Sequence, residues 1–216
     1  MKDSFTGMSK GEIVLGCAAL GFCFFGKTIV GEGRDPLFYG ILFALVIAAF
    51  WRSLGRELGV LLRDWKRALG AAGAGAVAFY GVNELLARIL ALFLAPRVNE
   101  NDQAILTLLG ENPAFGALLV GLLAPFIEEA LFRGLVFGNL RKFGRAGAYI
   151  VSCVLFALPH VAPFIGGSWG AADAAALVQY IAPAAVFAWT YERGGCIWSC
   201  VLLHCGINAL ALAGAL

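Results

Sequence analysis

Seven long apolar runs dominate this chain and fix the class of fold it can adopt. They cover residues 13–30, 36–51, 68–95, 114–140, 146–163, 174–191 and 196–214. A hydrocarbon layer about 30 Å thick takes roughly 20 apolar residues as a helix. Backbone N–H and C=O groups find no water in lipid, so spanning segments are helices or a closed barrel. Runs this long with so few polar residues do not suit a barrel, whose strands alternate outward and inward positions. The expected fold is an all-α polytopic membrane helix bundle of about seven transmembrane helices, within a range of six to eight, with residues 1–216 as a single integral-membrane domain. Composition agrees: 61% of residues are hydrophobic and 14% charged, where soluble domains carry about 45–50% and about 25%. A soluble enzyme and a disordered chain are both excluded. A net charge of +2 is too weak to recruit nucleic acid.

Basic residues orient the bundle. With the N-terminus in the cytoplasm and seven alternating helices, eleven of the sixteen Lys and Arg residues fall in cytoplasmic pieces: Lys2, Lys10, Arg52, Arg56, Arg63, Lys66, Arg67, Arg141, Lys142, Arg145 and Arg193. The outer loops hold two, Arg34 and Arg97. This is the asymmetry of a positive-inside topology, with the lipid bilayer of the cytoplasmic membrane as the surrounding partner. The first run lacks a convincing small-x-small cleavage site and reads as a retained helix. The third run, at roughly 42 Å of helix, is longer than the core and is expected to tilt or to emerge near Asn83 and Glu84.

Residues 52–67 have their own pattern. Leu54, Leu58, Leu61, Leu62 and Trp65 follow helical spacing, with Arg52, Arg56, Arg63, Lys66 and Arg67 opposite. This reads as an interfacial amphipathic helix on the inner leaflet, or equally as a solvated linker helix. Gly73-Ala74-Gly75-Ala76-Val77-Ala78 matches a dinucleotide fingerprint, but that motif has meaning only between a strand and a helix. Inside a span it reads as helix packing, with Gly70, Ala74 and Ala78 forming a small-x-x-x-small row. Six cysteines lie in apolar stretches without a CxxC pair, and read as small packing side chains.

Three polar clusters interrupt the apolar runs. In the first, Glu128-Glu129-x-x-x-Arg133, two adjacent carboxylates lie in mid-span, where charge is costly. Glu129 and Arg133 are i and i+4, so they share a face and can pair. Glu128 is rotated about 100° away and has no cation on its own helix. The split suggests a structural Glu129 and an available Glu128, suited to general-base work. Pro125 weakens the helix one turn earlier. In the second cluster, Phe156 and His160 lie one turn apart beside Pro159; Phe156 reads as packing. In the third, His204 and Asn208 are again i and i+4. Glu84 and Arg88 repeat the spacing without visible chemistry and read as structural. His160 and His204 are the two histidines of the chain. Each of these groups is costly against lipid, so convergence into one cavity between the C-terminal helices is expected.

These motifs, in this order on successive spans, resemble the CPBP family, the CAAX-protease and bacteriocin-processing intramembrane proteases related to the type II CAAX prenyl endopeptidases. Ala124-Pro125-Phe126-Ile127 before the glutamates and Phe132-Arg133-Gly134 after them also resemble that pattern. The likeness covers about residues 112–212, the motif-bearing catalytic core. It implies a glutamate-type endopeptidase in which Glu128 deprotonates a water held with His160, while His204 and Asn208 donate to the oxyanion. Glu129 and Arg133 would support Glu128. A peptide or membrane-protein substrate is implied; the oligomeric state is not readable. No metal is favoured, because no HExxH is present; were zinc bound, Glu128, His160 and His204 would be its ligands. The alternative is a non-catalytic membrane scaffold or bacteriocin self-immunity protein of the same fold. A proton-coupled carrier is disfavoured because the halves show no repeat.

Overall fold

A computed structural model describes residues 7–31, 33–93, 99–162 and 169–215. Lys2 and Arg97, both used in the topology count, lie outside the described residues. Eight helical elements follow in order: α1 (Lys10–Val30), α2 (Asp35–Arg63), α3 (Trp65–Ala91), α4 (Glu100–Glu111), α5 (Pro113–Leu140), α6 (Arg145–Val161), α7 (Ala171–Gly194) and α8 (Ile197–Ala215). Among the described residues there is no strand. Six of these helices are long and apolar enough to cross a membrane, and α6 is a shorter apolar helix of 17 residues. The chain is therefore a multi-pass all-α membrane protein, and the seven expected spans correspond to these seven helices.

Local chemistry sets the helix ends. Ser9 accepts from the Glu12 N–H and the Glu12 carboxylate accepts from the Ser9 N–H, a reciprocal cap on α1. Asp35-Pro36 opens α2, where the missing proline N–H costs nothing. Asn99 caps α4 and Asn112 caps α5. Gly195, at φ 74°, closes α7 in the left-handed region that favours glycine. Two residues, Gly195 and Cys196, separate α7 from α8, and the α8 N-terminus is capped from elsewhere: the buried Glu57 carboxylate accepts from the Ile197 N–H at 2.6 Å.

One apolar cluster joins α1, α2, α5, α6, α7 and α8. α7 packs most extensively on α3 and α6, while α1 pairs with α2 and touches α5. Residues 52–63 continue α2 without a break, and Asp64 separates them from α3. Along this stretch Leu58, Leu62 and Trp65 point outward, while Ser53 and Glu57 are buried. Leu54 is buried beside them, and Arg52, Arg56, Arg63, Lys66 and Arg67 are all exposed, so neither of the two expected faces is covered as a whole. The small-residue row on α3 also differs from expectation. Ala68, Ala71 and Gly75 are the buried residues, one position away from Gly70, Ala74 and Ala78. A Cβ on Gly75 would collide with Thr190 and Leu203, so glycine permits this close approach. α3 continues past Asn83 to Ala91, with Glu84 and Arg88 paired at 2.7 Å on its exposed face.

Candidate active site

The site is built around an irregular α5. Two π-helical stretches, Leu119–Leu123 and Glu129–Phe137, flank a short α-helical piece, Ala124–Glu128. Such wide turns are rare and concentrate at functional sites. Pro125 supplies the physical reason. The Ala124 N–H bonds to the Leu119 carbonyl, five residues back. The next carbonyl in that pattern belongs to Val120, and its donor position is Pro125, which has no N–H. Asn208 supplies the missing donor from α8, its Nδ2 lying 2.8 Å from the Val120 oxygen. Asn208 therefore anchors α8 to α5 just ahead of the glutamates. Its second amide hydrogen is left for other work.

The two adjacent glutamates have different surroundings, as their helical phase anticipated. Glu129 is fully buried and lies 3.2 Å from Arg133, which is fully buried too. Arg133 also donates to the Ala184 carbonyl at 2.9 Å and sits between the rings of Phe156 and Phe187, at 4.3 and 5.2 Å from the guanidinium carbon. A buried charge demands this much compensation. Phe156 is thus more than packing: its ring covers Arg133, and its carbonyl holds His160.

Glu128 retains 19% side-chain exposure and faces both histidines. His160 Nε2 is 3.8 Å from one carboxylate oxygen and His204 Nε2 is 3.9 Å from the other. These separations exceed a direct hydrogen bond and suit one bridging water. The far side of each ring is tied down. His160 Nδ1 lies 2.9 Å from the Phe156 carbonyl, which only accepts, so Nδ1 carries the proton. His204 Nδ1 lies 2.9 Å from a Glu129 oxygen. Rings fix the planes: Phe187 stacks on His204 at 4.3 Å, and Phe156 and Tyr180 stack on His160 at 4.9 and 4.6 Å. The structure thus brings Glu128, Glu129, Arg133, His160 and His204 together, with Asn208 on the adjoining turn.

Phe187, Tyr180 and Asn99 were not read from the sequence. Tyr180 and Phe187 are seven residues apart on α7, hence on one face, and that spacing was the available signal. α4 lies outside the seven apolar runs and was not read as a helix. Its Asp102, outside the spans, has a carboxyl raised by burial and drawn partly back down by the nearby His160.

A tetrahedral zinc with bonds of about 2.0–2.1 Å draws its N and O ligands to about 3.3–3.4 Å from each other. Glu128 and the two histidines stand at 3.8 and 3.9 Å. Among the described residues no group of three His, Cys, Asp or Glu side chains is arranged to hold a metal ion. The residues as placed do not fit zinc, and no step below passes through one.

Comparison with known proteins adds to this geometry. Residues 110–210 match the family model described as type II CAAX prenyl endopeptidase Rce1-like. The chain is 30% identical over 117 residues to a Bacillus subtilis (strain 168) protein named "Putative membrane peptidase YdiL", covering 54% of this chain and 43% of that one. It is 28% identical over 109 residues to "UPF0177 protein YxdF" of Lactococcus lactis subsp. lactis (strain IL1403), covering 50% of this chain and 55% of that one. The chain thus spans about half the length of the curated relatives it matches. No solved structure matches.

Proposed function

We infer, from the match of residues 110–210 to the type II CAAX prenyl endopeptidase Rce1-like model and from the motifs that resemble the CPBP proteases, that this is an intramembrane endopeptidase using glutamate-activated water. The observation that carries this reading is Glu128 facing two histidine Nε2 atoms at 3.8 and 3.9 Å.

The chemistry follows from the protonation pattern. A water between Glu128 and His160 gives one hydrogen to the carboxylate and the other to the His160 Nε2 lone pair. Glu128 takes the first proton as the water oxygen attacks the scissile carbonyl, and the carbonyl π electrons move to its oxygen. His204 and the second Asn208 N–H donate to that oxyanion, which a preorganised dry site stabilises most. For His204 to donate from Nε2 it carries both ring protons, with Nδ1–H on Glu129. The oxyanion collapses, the C–N bond breaks, and Glu128 returns its proton to the leaving amine.

The substrate is a peptide or membrane protein whose scissile bond reaches this depth. The chain lies in the cytoplasmic membrane with its N-terminus inside. Supporting this, the Glu12–Ser53–Arg56 contacts, the Arg67 bond to the Arg193 carbonyl and the Arg145–Glu192 pair collect at the helix ends assigned to the cytoplasm. The test is Glu128→Gln, which keeps the shape and removes the base. Cleavage is expected to fall by about 10²–10⁴-fold with unchanged expression. Unchanged biological function of Glu128→Gln would favour the scaffold or self-immunity reading.

A further inference from the structure

We propose that Tyr180 is a positioning residue for His160, and that Asn99 sets Tyr180, so that docking of α4 orients the histidine. This rests on the endopeptidase reading for its significance, though not for its geometry.

The two histidines are held unequally. His204 is fixed by a carboxylate at 2.9 Å and by the Phe187 stack. His160 has a single backbone carbonyl on Nδ1. Rotation about its Cβ–Cγ bond would carry Nε2 away from Glu128. What opposes this rotation is a sandwich: Phe156 on one neighbouring ring, with an interplanar angle of 27°, and Tyr180 on another, at 28°. Phe156 belongs to the same helix as His160, one turn back. Tyr180 comes from α7, so it ties the imidazole to the rest of the bundle.

The Tyr180 hydroxyl is itself fixed. It donates to Asn99 Oδ1 at 3.1 Å and accepts from Asn99 Nδ2 at 3.0 Å. Asn99 is the cap of α4, its Oδ1 also accepting from the Asn101 and Asp102 N–H groups at 3.0 and 3.2 Å. It cannot turn without loosening the helix start. α4 has no buried residue of its own and packs chiefly on the first turns of α5. The Asn99–Tyr180 pair is thus a polar tie of α4 to the catalytic side of the bundle, with Asn101 also reaching Tyr180 and Asp102 lying near His160. A helix preceding the glutamates is thereby coupled to the ring that faces them.

The chain has two histidines, so selective ¹⁵N-histidine labelling gives four ring nitrogens, assignable with His204→Gln. Spectra are recorded in nanodiscs, at a pH where the His160 ring is neutral. Wild type is expected to show His160 with Nδ1–H only. Tyr180→Leu removes the stack, and the Nε2–H form of His160 should appear while the His204 signals stay in place. Tyr180→Phe keeps the stack and should keep the single tautomer. A His160 signal in Tyr180→Leu identical to wild type would overturn the proposal. Cleavage of the substrates that accumulate in Glu128→Gln provides the second readout. Tyr180→Phe and Asn99→Ala should each lower kcat severalfold with KM little changed, and the double variant should be no worse than either single one. Additive losses would overturn the coupling through one bond. Should Glu128→Gln leave cleavage intact, the protease reading fails, while the nitrogen spectra still test the positioning.

Discussion

Glu129 and Arg133 show what a charge inside a bundle requires: two protein partners and two aromatic faces around a guanidinium with no exposed surface. Removing one member leaves the other charged and buried. Arg133→Met is expected to destabilise the protein by about 3–5 kcal/mol, read by denaturation in detergent, and adding Glu129→Gln should recover part of the loss. The division between the two glutamates was legible, because i and i+4 residues share a helix face whatever surrounds them. Convergence of Glu128, His160 and His204 was legible for an energetic reason: none of them can face lipid cheaply. The Asn208 bond to the Val120 carbonyl was not. It depends on a wide turn ahead of Pro125, and no spacing rule reports which carbonyl a proline leaves unpaired. Tyr180 shares a face of α7 with Phe187, but that spacing alone does not say that the face covers the histidines.

At the level of helices, the end of α2 divides its leucines. Leu58 and Leu62 face outward, Leu54 is buried, and Glu57 faces in, where it caps α8. The periodicity marked two faces, yet the bundle covers parts of both, Ser53 and Glu57 included. Glu57→Ala should cost about 0.5–2 kcal/mol, as loss of a helix cap does; melting of the purified protein measures it. The glycines of α3 differ in the same informative way. Gly75→Val should cost about 1–3 kcal/mol through collision with Thr190 and Leu203, whereas Gly73→Ala, with open space around it in mid-helix, should raise stability by up to about 1 kcal/mol. The sequence showed that small residues pack here; the register, off by one, needed the position of α7.

The whole molecule divides between the residues that match a known family and those that do not. Residues 110–210 carry the match, yet α1 and α2 contribute to the same apolar cluster as α5 to α8, and α3 lies against α7. The first hundred residues bear no motif, so their part in enclosing the site was invisible before the fold. Reporter fusions test the orientation: a periplasm-active reporter joined after Gly33 should work, and one joined after Lys142 should not. The central claim is that Glu128 activates water for peptide hydrolysis inside the membrane. Quantitative proteomics of membranes from cells carrying wild type or Glu128→Gln tests it most directly. A defined set of uncleaved precursors should accumulate in Glu128→Gln at equal protein abundance. Identical peptide profiles, with the same products formed, would contradict the account.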